Sequence, residues 1–284
     1  MQIVGYRTDP DAPGMLVSEV PAGSTSDASD ASAETTTETS GRQTGPSIDE
    51  SATLYDVEFV SLEPGTELRY RLRERHCAGT VTDAGHRPCD RQAAPHCDQH
   101  AHTWVCARCT GTCLKDEMDC HEEHAIYLAA FAPDTFKVGV TRRWRLQRRL
   151  REQGADRGAH LRTVENGRIA REIEAEIAET IPDRVRVPTK RAGLATTVDE
   201  DAWERLLAAF DPLETYAFEY GLDLSDRPVA ETIATGTVRG VKGRLLVLEN
   251  AGSTYAVDLR ALVGHAVTDE ESDRNLQSSL GAFE

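Results

Sequence analysis

Seven cysteines crowd between Cys77 and Cys120, with none elsewhere in the 284 residues, and histidines are interspersed among them. Thiolate and imidazole ligands two or three residues apart can converge on one ion from a tight turn, so the cluster reads as a metal site before it reads as disulfides. The strongest pairs are Cys97-x-x-His100 and Cys106-x-x-Cys109. Two tetrahedral groups follow, Cys77, Cys89, Cys97 and His100 first, then Cys106, Cys109, Cys113 and Cys120. A closed structural zinc (Zn2+) is the expected occupant, since four-ligand sites hold loops together while catalytic sites keep an open position. The surplus His76, His86, His96, His102, His121 and His124 leave the partition open. An iron–sulfur cluster on the four later cysteines is the alternative metal chemistry. A redox role for Cys106 and Cys109 lacks the βαβ context that such a pair needs. Small core cysteines beside surface histidines would give no reason for the crowding.

A second set of residues is basic. Lys137, Arg142, Arg143, Arg145, Arg148, Arg149 and Arg151 follow one another without an intervening acid, in a chain whose 32 basic and 48 acidic residues give a net charge of -16. A merely solvated face would be acidic like the rest, so the run reads as a phosphate-contacting patch. Lys137, Arg142, Arg143, Arg145 and Arg148 are the candidate nucleic-acid contacts, with DNA and RNA undistinguished and protein partners unnamed.

Elements that could position these groups are legible in the apolar pattern. Ile3, Val4 and Tyr6, then Met15, Leu16 and Val17, predict a strand pair, and residues 21–52, rich in Ser, Thr, Gly and acids, predict a flexible loop. Alternation at Leu54, Tyr55, Val57, Phe59 and Val60 resumes at Leu68, Tyr70 and Leu72 after Pro64-Gly65, which predicts a hairpin. Residues 125–132 and 136–140 flank Pro133-Asp134-Thr135 and predict a second hairpin. A basic helix follows, with Trp144, Leu146 and Leu150 as its apolar positions and Gly154 as its stop. A strand near Leu161 then precedes a helix over 168–180, carried by Ile169, Ile173 and Ile177. The helical signature recurs at 199–210, and glycines 236, 240, 243 and 252 separate short strands up to Val267.

The fold class is therefore α+β. β segments over 1–76 are followed by a zinc-binding region over 77–124, an α+β domain of order ββαβα over 125–198, a helix with a small β unit over 199–268, and an acidic tail over 269–284. Hydrophobic residues at 39% and charged residues at 28% exclude collagen-like, fully disordered and membrane-spanning chains. The longest uncharged apolar run, 125–132, is far short of the ~20 residues a membrane helix needs. The start MQIVGYRTDPDA shows no basic stretch leading into an apolar one, so the cytoplasm is the expected compartment and no membrane partner is expected. An acidic surface with only four lysines is what a halophilic, salt-adapted protein needs.

The segments His124-Ala125-Ile126-Tyr127-Leu128, Lys137-Val138-Gly139-Val140-Thr141-Arg142, Glu152-Gln153-Gly154-Ala155 and Arg239-Gly240-Val241-Lys242-Gly243 follow the cysteine cluster in order. Over residues 54–267 this arrangement resembles family 2797 of the domains of unknown function, a name that carries no activity. More distantly, Tyr127 on one strand, Lys137-Val138-Gly139 on the next, Arg149 on the following helix and Glu174 on a later one resemble the GIY-YIG nuclease layout. In that superfamily a tyrosine and an arginine flank the scissile phosphate, and a glutamate holds a divalent metal. The resemblance implies that Tyr127 orients the nucleophile, Arg149 contacts phosphate and Glu174 holds Mg2+ or Mn2+. Mg2+ prefers carboxylate oxygens with waters retained, and arginine forks two donors onto a phosphate. Lys137 stands where the superfamily has a second tyrosine and Gln153 where many members have a histidine, which leaves the general base unassigned.

Blander readings accompany these residues. Tyr127 is also placed as a core ring, Glu174 as part of an acidic face with Glu172, Glu176 and Glu179, and Gly240 to Gly243 as a hairpin turn. Two functions follow. One is a zinc-binding, nucleic-acid-binding protein whose GIY-YIG-like domain is a metal-dependent phosphodiester hydrolase. The other is a non-enzymatic RNA-binding or protein-interaction adaptor with a structural zinc cluster.

Overall fold

The computed structural model describes residues 1–9, 11–20, 53–101 and 121–269. The second cysteine group, Cys106, Cys109, Cys113 and Cys120, lies outside the described residues, as do the predicted loop 21–52 and all of the acidic tail beyond Asp269. Within them the architecture is mixed α+β, rich in strands and sparing of helices.

The central piece is a four-stranded sheet. β7 (His124–Phe131) is buried along its whole length, as an unbroken apolar run must be when both faces of its sheet are covered. It pairs antiparallel with β8 (Thr135–Arg142) across the Pro133-Asp134 turn and with β9 (Arg157–Val164), and β10 (Glu214–Ala217) completes the order β10-β9-β7-β8. On one face Ala125, Tyr127, Ala129 and Phe131 meet Leu146 and Leu150 of α1 (Leu146–Gln153). On the other, Ile126, Leu128 and Ala130 meet α2 (Gly167–Ala178) and Trp203 of α4 (Glu200–Leu207).

Local chemistry sets the helix boundaries. α1, entered through a 3-10 turn at Arg143–Arg145, ends on Gly154 in the left-handed conformation at φ 72°. Asn166 and Asp199 cap α2 and α4 by accepting the N–H groups of Ile169 and Ala202. α3 (Val187–Ala192) was not expected, although Pro188 in its first turn is a start signal.

The remaining strands build a nine-stranded sheet. β1 (Gln2–Arg7) and β2 (Gly14–Ser18) form the expected pair, and β3 (Val57–Ser61) joins β2. The hairpin expected between β3 and β4 (Glu67–Arg75) does not form. β4 lies between β12 (Ala234–Lys242) and β15 (His265–Asp269), because the turn before it is tied elsewhere: the Gly65 N–H donates to the Val238 carbonyl, and the Val238 N–H to the Thr66 carbonyl. β13 (Leu245–Asn250), β14 (Ser253–Asp258) and β11 (Val229–Ala230) extend the far side. The β segments from the two ends of the chain, read as separate pieces in the sequence, are thus neighbours, with β15 held between β4 and β1 and preceded by α5 (Leu259–Leu262). Ile3, Met15, Leu68, Leu246, Val257 and Val267 belong to their shared core. A two-stranded ribbon of β5 (Thr80–Thr82) and β6 (Gly85–Arg87) leads into the cysteine loop.

The two sheets touch through glycine. A Cβ on Gly154 would come within 3.0 Å of the Lys242 carbonyl oxygen, and one on Gly243 within 2.6 Å of the Gly154 nitrogen, so the end of α1 and the β12–β13 turn pack backbone to backbone. Lys242 clamps the contact with its Nζ 2.6 Å from Asp156 Oδ1.

Candidate functional site

Cys77 follows β4, Cys89 follows β6, and Cys97 and His100 share one turn in which the His100 N–H donates to the Cys97 carbonyl. The four ligand atoms lie within 4.8 Å of one another. His100 Nδ1 is 3.4 Å from Cys77 Sγ and 3.3 Å from Cys97 Sγ. Zn–S bonds of ~2.3 Å and Zn–N bonds of ~2.0 Å give a tetrahedral edge of ~3.5 Å, so this donor set is shaped for zinc. The Gly79 and Cys97 N–H groups donate to Cys77 Sγ, as outer partners of a metal-bound thiolate do. The three cysteines are unpaired thiols. Burial pushes the Cys89 thiol up to about 11; a coordinated cation reverses that preference, because a coordinating thiol is deprotonated outright.

Two of the surplus histidines, His76 and His86, have other duties. His86 lies 2.8 Å from Ser18 Oγ through Nδ1 and 2.9 Å from the Ala78 carbonyl through Nε2, and His76 Nδ1 is 3.0 Å from the Cys89 carbonyl. These contacts brace the loop and leave His100 as the imidazole in the group.

A second constellation lies on the α1 face of the four-stranded sheet. Tyr127 is opposite Gly139 in the β7–β8 register, and a Cβ at 139 would fall 2.5 Å from the Tyr127 Oη. Glycine is therefore required there as the floor under the ring, a stronger reason than the strand-end role such a residue usually signals. Tyr127 is 1% exposed, and its Oη accepts a hydrogen bond from Gln153 Nε2 at 2.5 Å. Burial is the main cause that raises the phenol's pKa; Arg149 and Gln153 pull it down, and Glu174 pushes it up.

Glu174 reaches this place because β8 is the sheet edge and α2 packs chiefly against it. It is 7% exposed, which removes it from the solvated acidic face, and Arg171 donates to its Oε2 at 2.5 Å. Lys137, two residues before Gly139 and on the same side of β8, donates to the Asp183 carbonyl at 2.8 Å. Burial, then the Arg149 charge, lower its pKa to about 8 against the pull of Glu174 and Asp183. Arg149 and Glu174 thus act electrostatically on both Tyr127 and Lys137, the four drawn from four elements.

The arginine run is less naked than its sequence. Arg142 pairs with Glu122 at 3.3 Å, Arg143 with Glu214 at 3.9 Å, and Arg148 with Asp9 at 3.9 Å. Glu152 alone takes Arg145, Arg148 and Arg149 at 3.2, 3.1 and 3.6 Å. Such exposed pairs are worth about 0–1 kcal/mol each, so an incoming phosphate can displace them. Trp144, expected as an apolar helix position, is 68% exposed. It belongs to the 3-10 turn, where the helical period does not apply, and its ring lies 5.8 Å from the Arg145 guanidinium carbon. Sequence reasoning also missed Arg171 and Lys190. Lys190 sits on α3, donates to the Gln153 carbonyl at 2.7 Å and lies 4.3 Å from the Phe131 ring centre.

No helix among the described residues is long and apolar enough to cross a membrane. No curated protein and no solved structure matches the chain. Residues 65–267 match a family described as protein of unknown function (DUF2797). That span takes in the Cys/His group, the Tyr127 constellation and the glycine contact between the sheets, and the chain belongs to the DUF2797 family.

Proposed function

We propose that this is a nucleic-acid-binding protein, braced by a structural zinc, whose GIY-YIG-like Tyr127 site hydrolyses a phosphodiester with a divalent cation. The observation that carries the reading is that the charges of Arg149 and Glu174, on two helices packed against different faces of the sheet, both act on the buried phenol of Tyr127. The element order β7-β8-α1-β9-α2 supports it. Arg149 would fork onto the phosphate with Lys137 as a second cation, and Tyr127 would orient the attacking water. Arg171 holds Glu174 Oε2, which leaves Oε1 for a hydrated Mg2+ or Mn2+. The cation would stabilise charge on the phosphodiester oxygens. Arg142, Arg143, Arg145 and Arg148 would track the backbone while Trp144 offers a stacking surface to a base. Three unpaired thiols within one ligand group suit a reducing compartment such as the cytoplasm.

The adaptor reading draws on one feature of the same site. The Tyr127 hydroxyl is sealed at 1% exposure and already held by Gln153, and Lys137 occupies the second tyrosine's place. Cleavage assays on labelled single- and double-stranded DNA and RNA, with Mg2+ or Mn2+ at high potassium, separate the two. Cleavage by the wild type that disappears in Glu174→Gln, with zinc and fold intact, establishes the hydrolase. Binding without cleavage in either protein establishes the adaptor.

A further inference from the structure

A charge taken out of water is costly unless something answers it. Of the chain's four lysines, Lys115, Lys137, Lys190 and Lys242, the last three meet at one place. Lys242 is answered by Asp156 at 2.6 Å. Lys137 and Lys190 are not: among the described residues neither forms an ion pair with a carboxylate, and each donates one hydrogen bond, to a neutral backbone carbonyl. An ammonium has three N–H donors, so two on each lysine are left without a protein acceptor. The Phe131 ring beneath Lys190 gives partial compensation, and it also holds the amine in one direction. α3 keeps that aim because Gly193, at its end, packs where a Cβ would run into the Ala132 carbonyl oxygen.

The charges facing Lys190 come from three elements: Lys137 on β8, Arg149 on α1, and Lys242 and Arg244 at the β12–β13 turn. Arg244 is neutralised by Asp258 at 2.6 Å, as Lys242 is by Asp156. Arg149 has only a share of Glu152, and Glu174 is held by Arg171. Glu174 and Asp183 act on Lys137 from a distance, but the carboxylates at this spot that form ion pairs bind other cations, so Lys137 and Lys190 remain in excess in a chain of net charge -16. We propose that Lys190 and Lys137, with Arg149, form a site for a phosphate group, whose oxygens supply the missing acceptors and counter-charge. The proposal deepens the nucleic-acid reading and rests on it for the source of the phosphate, a backbone phosphodiester, but not for cleavage.

Protonation follows from the same geometry. Burial, then the Lys137 charge, push Lys190 down to about 7. An anion arriving beside it favours the charged form, so binding takes up a proton and weakens as pH rises above neutrality.

The test is calorimetric titration of the full-length, zinc-loaded protein at about pH 8 with a single-stranded hexanucleotide and, separately, with inorganic phosphate, in two buffers of different ionisation enthalpy. The expected result is proton uptake with the hexanucleotide, lost in Lys190→Met together with at least about tenfold in affinity, and affinity restored without uptake in Lys190→Arg. Lys190→Met should melt at a higher temperature than wild type, since it removes an unanswered charge, which shows that the variant is folded. Inorganic phosphate binding that depends on Lys190, without hexanucleotide binding, upholds the phosphate-group site and brings down the nucleic-acid source. Equal affinity and uptake in wild type and Lys190→Met, or no binding of either probe by wild type, overturns the site. Glu174→Gln in the same titration keeps the questions apart: Lys190-dependent binding without cleavage by any variant removes the hydrolase and leaves the phosphate site standing.

Discussion

The Cys/His group and the Tyr127 constellation position their atoms by opposite means. The first draws four ligands from a short loop with little core of its own, so a metal must do the holding. The second draws Tyr127, Lys137, Arg149 and Glu174 from two strands and two helices that a packed sheet already holds in place. Losing one ligand should therefore unmake the first site, whereas losing one charge should disable the second and leave its scaffold standing.

The sharpest way to break that contrast is to remove the metal. Cys97→Ser should remove the zinc held by Cys77, Cys89, Cys97 and His100, as chelation does, and deprotect the amides of residues 77–100, while β7 and β9 keep their hydrogen-exchange protection. Structural zinc contributes on the order of 10 kcal/mol in small zinc domains, so this is the largest effect expected. Metal analysis with hydrogen exchange reads it, and an unchanged zinc content would refute the ligand group. Next in size, Glu174→Gln should lower cleavage by about 10²–10³-fold with little change in melting temperature; a collapse of the fold would show Glu174 to be structural. Gly139→Ala should cost about 1–3 kcal/mol in urea unfolding by pushing against the Tyr127 ring, and less in a Tyr127→Ala background. Trp144→Ala should weaken single-strand affinity by about 1 kcal/mol and leave stability unchanged.

A further effect is in pH. Lys190 binds its proton more weakly folded, at about 7, than unfolded, so between those values the unfolded chain holds more protons. Stability should rise as pH increases from about 7, and Lys190→Met should flatten the rise. A wild-type profile that falls over this range would contradict the half-buried, unanswered ammonium.

The two sites also differ in how far the amino-acid order reveals them. Cys97 and His100 announce themselves by spacing, because a turn is enough to bring them together. The β7–β8 hairpin, the Gly154 stop and the α2 and α4 segments were legible for the same reason, each depending on neighbours in the chain. The Asn166 cap lies just before the predicted helix start. What stayed hidden depends on partners far away. β4 looked like half of a hairpin until its turn was found bonded to β12. The arginine run looked unopposed because Asp9, Glu122 and Glu214 come from other segments. Lys190 stands alone in sequence, and nothing local says that α3 brings it over Phe131. Glu174's approach to Tyr127 depends on β8 being a sheet edge, which no local pattern states.

The neighbourhood of β1 and β15 governs how the molecule comes into being. Gln2 pairs with Ala266, so β1 waits for a strand synthesised about 260 residues later. At roughly 5–20 residues per second the wait is on the order of tens of seconds. Through that interval β1 shows an unpaired edge, a surface that invites the wrong strand or a chaperone. β7, β8, α1, β9 and α2 close mostly on near neighbours and need not wait. Synthesis therefore builds the Tyr127 scaffold first and seals the large sheet last, and the glycine joint between them can form only once the β12–β13 turn arrives to meet α1.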